Sequence, residues 1–193
     1  MLLRALGAAL CLTPLTATLA MADTNPDAVI GTWQTEVATV PTPDGGTAYQ
    51  LMKTAFTEDQ QEISVSVFAD PQLEMQLFEY SSAGPWEPQG PAAGVAGAMA
   101  INLTNAYSLV TIFVDAPDLW AAIGLAQCPL AIGVAVDITD CVNGPPFTVT
   151  DCVDLDIVMV DQDGQRLRYG GGEVDRCVVR PTEVSTVEYF RTE

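Results

Sequence analysis

Over the first half of the chain, apolar and polar residues alternate with a period of two, the mark of half-buried antiparallel strands. Ile30 to Thr39 reads as the first strand and Pro41 to Gly46 as a loop. From Thr47 to Thr57 the pattern sets Met52 and Phe56 on one face and Lys53 on the other, and Glu58 to Gln61 makes the next turn. Glu62 to Ala69 sets Ile63, Val65 and Val67 against Ser64 and Ser66. Asp70-Pro71 breaks the chain, and a strand follows in which Leu73, Met75 and Leu77 oppose Glu74 and Gln76. Pro85 to Gly94, rich in Pro, Gly and Ala, reads as a long loop.

The second half is less regular. No charge occurs from Pro88 to Val114, nor from Leu119 to Val136. Both runs are long enough to span a bilayer. Asn102, Thr104, Asn105 and Ser108 interrupt the first, Pro129 interrupts the second, and no Lys or Arg flanks either, so no stable membrane insertion is expected. Tyr107 to Val114 reads as a strand apolar on both faces. A short helix follows, capped by Asp115 or Ala116, with Pro117 in its first turn and Leu119, Trp120 and Ile123 toward the core. Strands are predicted again over Ala131–Asp137, Phe147–Val160, Gln165–Tyr169, Arg176–Arg180 and Val184–Arg191, with turns at Asn143–Pro146 and Asp161–Gly164. About ten strands and one short helix predict an all-β domain, a barrel or a sandwich.

Residues 1–22 have the form of a secretory leader. Arg4 is followed by an apolar run to Ala20, and Ala20-Met21-Ala22 offers a small-x-small cleavage site. The expectation is one β domain over residues 23–193, delivered to the periplasm or the extracellular space. In such a compartment Cys128, Cys141, Cys152 and Cys177 should form two disulfides, and three pairings are open. The 193-residue chain has a formal charge of −18, with Lys53 its only lysine. That surface repels nucleic acid and anionic lipid.

The absence of histidine removes Ser-His and Cys-His nucleophile pairs and histidine metal sites. Asp151, Asp154 and Asp156 are the remaining candidates for carboxylate-dependent hydrolysis. On a strand Asp154 and Asp156 share one face, expected to point to solvent, so no catalytic residue is assigned. Asp161-Gln162-Asp163-Gly164 resembles the start of a calcium loop but has no third ligand and no terminal Glu, and reads as a turn. No metal site and no cofactor are expected. Met52, Phe56, Val65, Leu77, Met99, Ile101, Leu109 and Phe113 are the candidates to line the inside of a closed sheet, where a barrel can hold an apolar or amphiphilic small molecule. An acidic rim would disfavour an anionic head group. The alternative is a non-catalytic structural or interaction domain with a filled core and a protein partner.

Gly31-Thr32-Trp33 resembles the Gly-x-Trp of the lipocalin first strand, and Arg191 resembles the arginine that packs across that tryptophan from the last strand. Together with Leu167-Arg168-Tyr169-Gly170, Arg180-Pro181-Thr182 and Tyr189-Phe190-Arg191, these motifs are similar to the lipid-binding domain of the adenomatosis-polyposis-coli-down-regulated family and its bacterial relatives. The resemblance implies an antiparallel lipocalin-like barrel, closed or half-open. Gly31, Trp33 and Arg191 would shut one end, and a fatty acyl chain or similar ligand would lie inside without a cofactor.

Overall fold

A computed structural model describes residues 24–142 and 152–192. The leader expected over 1–22, the turn at 143–146, the start of the strand predicted from Phe147 and Asp151 all lie outside them. The strands are β1 (Gly31–Thr35), β2 (Ala38–Pro41), β3 (Thr47–Phe56), β4 (Gln60–Phe68), β5 (Gln76–Pro91), β6 (Met99–Leu103), β7 (Tyr107–Ile112), β8 (Ala135–Asp137), β9 (Asp154–Val160), β10 (Arg166–Tyr169) and β11 (Tyr189–Arg191). The helix α1 spans Pro117–Ala122. No helix among the described residues is long and apolar enough to cross a membrane.

Eight of these strands close on themselves in the order β1-β3-β4-β5-β6-β9-β10-β11 and back to β1, every pair antiparallel. The chain is therefore an all-β barrel rather than a sandwich. Gly31 enters β1 at φ +132°, a conformation that resists a side chain. Trp33 then lies between Thr54 of β3 and Arg191 of β11. The barrel wall divides along β5. β6 and β7 run in one direction along the same edge of β5, with Ile101 opposite Pro88 and Ser108 opposite Ser82. They are two halves of one strand, interrupted at residues 104–106. β6 continues the barrel through β9, whereas β7 leads away to β8.

Several boundaries differ from those the pattern predicts. The first strand stops at Thr35 and a second piece, β2, starts at Ala38. Leu73 lies in a turn at φ +60° and Met75 is exposed, so β5 begins later than expected. β5 then runs straight through the predicted loop to Pro91. β4 begins at Gln60, opposite Pro85, so past the Trp86 N to Asp59 O bond no described strand pairs with that edge of β5, and on its other edge the register shifts between Pro88 and Pro91. Proline is tolerated at such edges and bulges. β8 and β11 are only the last three residues of their predicted strands, and Arg176–Arg180 forms turns.

The interior is filled at one end. Trp33, Phe56, Trp86, Met99, Ile101, Val158, Val160 and Leu167 pack there, with the Phe56 and Trp86 rings edge to face at 5.2 Å. A second cluster, including Val67, Phe78, Val110, Ile112, Trp120 and Leu125, gathers where β7 and α1 leave the barrel. Outside the wall, residues around Ala92 to Ala98 cover Ala100, Ile157 and Met159. The outer faces of β6 and β9 are therefore apolar too.

Candidate functional site

The closed end is held by Trp33 and Arg191. The indole is fully buried and its Nε1 donates to Val29 O at 2.8 Å. The Arg191 guanidinium lies 4.0 Å over the ring and donates to Gly164 O at 2.8 Å, Ile30 O at 2.9 Å and Ala28 O at 2.7 Å. A flat guanidinium can lie against the aromatic face and still direct its N–H groups outward in its own plane to three separate carbonyls. Arg191 thereby ties the last strand to the start of the first.

A layer of hydrogen-bonded polar groups lies across the barrel next to this packed end. Thr54 Oγ1 is 2.8 Å from the Tyr169 hydroxyl and accepts from Gln61 Nε2 at 3.1 Å. Burial raises the Tyr169 hydroxyl far above its ordinary range, and pushes Tyr189 up to about 12. Beside them Asp156, 1% exposed, accepts from Ile157 N at 2.7 Å and Gly170 N at 3.1 Å and pairs with Arg176 Nη1. Arg176 Nη2 donates to Gly170 O at 2.9 Å. Arg180 bonds the carbonyls of Ile101 and Asp156 and, at 2.7 Å, Asn102 Oδ1. The Cys152–Cys177 disulfide anchors the segment that carries both arginines to the start of β9, and Leu155 N donates to Arg176 O at 2.9 Å. The other disulfide joins Cys128 to Cys141.

Beyond the polar layer is a cavity of about 630 Å³. Its apolar wall comes from the inner faces of β3, β4 and β5, with contributions from β2 and α1, and includes Met52, Ile63, Val65, Leu77 and Leu119. Gln61, Tyr169, Asp154, Asp156 and Arg176 also line it. Of the residues expected inside, Met52, Val65 and Leu77 reach the cavity. Phe56, Met99 and Ile101 are instead part of the packed end. Leu109 lies on the opposite face of β7 from the buried Ser108, Val110 and Ile112, and Phe113 is 41% exposed.

Asp154 and Asp156 do not point to solvent as the alternation predicts. They share the inner face of β9 with Val158 and Val160, because Ile157 and Met159 on the other face are covered from outside. Burial raises both carboxyls, against the pull of Arg176, and takes Asp156 to about 6. Asp161 lies in a hairpin turn, its Oδ2 accepting from Arg166 Nε at 2.7 Å. Among the described residues no group of three or more His, Cys, Asp or Glu is placed to hold a metal ion.

Sequence reasoning missed the polar layer. The available signal was Arg176 and Arg180 flanking Cys177 in a chain with seven basic residues, an arrangement that fixes two cations near buried carboxylates. No model of a known protein family matches the chain, and no curated protein does either.

Proposed function

We propose that the chain is an exported, lipocalin-like binding protein that holds a small apolar or amphiphilic molecule inside its barrel. The observation that carries this reading is the cavity of about 630 Å³, bounded by apolar side chains on one side and a polar layer on the other. A preformed space of this size suits a ligand of modest length. Binding would draw on burial of hydrocarbon, about 0.8 kcal/mol per methylene removed from water. Two disulfides support an oxidising compartment. Carriage is favoured over hydrolysis because Asp156 is engaged by Arg176 and two amides and the sequence has no histidine to serve as a general base.

The test is organic extraction of the purified protein followed by mass spectrometry, with displacement of a hydrophobic dye as a second measurement. Stoichiometric amphiphile, or saturable dye binding that an amphiphile reverses, is the expected result. A clean extract together with no dye response would leave a domain that acts through its surface.

A further inference from the structure

We propose that the guest is a cationic amphiphile, a protonated long-chain amine, and that Asp154 receives its head group. The inference rests on the binding-protein reading above and assigns the head-group partner within that cavity. Most polar groups around the cavity already have partners. Thr54, Gln61 and Tyr169 bond one another, and Asp156 is shared by Arg176, Ile157 N and Gly170 N. Asp154 differs: it lines the cavity one inward position along β9 from Asp156, and its Oδ1 is buried with no hydrogen-bond partner among the described residues.

A buried carboxylate oxygen left unpaired is destabilising, and a donor brought by the guest relieves that penalty. An ammonium supplies three donors and a charge opposite to that of Asp154. An alcohol supplies one donor and no charge. A carboxylate would meet Asp154 and Asp156 together, and the two cations that pull on Asp154, Arg176 and Arg180, are already hydrogen-bonded to protein groups, with no hydrogen bond from either to Asp154 Oδ1. The expected order of affinity is therefore amine, then alcohol, then fatty acid.

The experiment uses delipidated protein at neutral pH and three probes of one chain length: dodecylamine, dodecanol and dodecanoate. Affinities come from displacement of a fluorescent dye. Dodecylamine should bind at least about tenfold more tightly than dodecanoate. Asp154→Asn should weaken dodecylamine and strengthen dodecanoate, collapsing that ratio, whereas a folding defect would weaken all three. Equal affinities in the wild type, or an amine preference that survives in Asp154→Asn, would overturn the assignment and leave the binding-protein reading standing. If none of the three binds, both fall.

Discussion

Asp156 brings a charge into the barrel interior, and its tolerance there depends on the groups around it. Arg176, two backbone amides and the Arg180 bond to its own carbonyl share the site, yet burial dominates and holds the carboxyl near pH 6. In the unfolded chain the same group titrates near its ordinary 3.8. Between those values the folded state binds the extra proton, so this residue's contribution to stability is complete below about pH 4 and is lost as the pH rises through about 6. Asp44, Asp70, Asp137 and Asp161, all lowered by hydrogen bonds, act in the opposite direction at lower pH. The effect of Asp156 is isolated by subtraction. In urea titrations, the stability of wild type minus that of Asp156→Asn should fall from pH 4 to 6 and level off above 7. A flat difference would mean that Arg176 fully compensates the burial. The sequence hides this residue for a physical reason. In Asp154-Leu155-Asp156-Ile157 the apolar alternates look like the core face, and only the covering loop at 92–98 reverses the assignment. Trp33 and Arg191, by contrast, are legible because each lies in a short motif at a chain end and β1 pairs directly with β11.

At the scale of elements, the departure from a simple barrel lies where β6 gives way to β7. Gly84 makes that crossing possible. A Cβ there would lie 1.7 Å from Thr104 O and 2.9 Å from Ala106 N, backbone atoms held to β5 by Thr104 N to Pro85 O and Ala106 N to Ala83 O. No rotamer change can relieve a clash with backbone, so β5 and the 104–106 segment would have to part. Gly84→Ala should destabilise the protein by about 3 kcal/mol or more in chemical denaturation, well beyond an ordinary exposed substitution. A loss under about 1 kcal/mol would show that the crossing is pliable. β3 and β4 follow from the period-two pattern because each has one buried face. The second half of β5 does not, since its prolines signal a loop and only the start of β4 at Gln60 and the bulge make them admissible. Arg176–Arg180 reads as a strand from composition, but its backbone is set by Cys152–Cys177 and by the carbonyls and carboxylate that its two arginines reach.

For the whole molecule, the consequential feature is that one part of the barrel is filled and the rest is not. Arg176, Arg180 and Arg191 point their charged ends at protein groups, so the exposed surface is more acidic than a formal −18 conveys. Solvent-facing charge of one sign disfavours anionic partners at a distance, before any contact inside the cavity. Whether the space is the binding site can be separated from whether it matters for folding. Val65, on β4 between Met52 and Tyr80, lies on the cavity wall and is only partly buried. Val65→Phe would project a ring into empty volume rather than into packed atoms. Its stability should stay within about 1 kcal/mol of wild type, where the same enlargement in a close-packed core costs more. Amphiphile affinity should meanwhile drop about tenfold or more, because the guest and the ring compete for one space. Thermal unfolding and dye displacement on the same preparation read both quantities. Unchanged binding with normal stability would move the ligand out of the barrel, and a large loss of stability would mean that the wall is already close-packed around Val65.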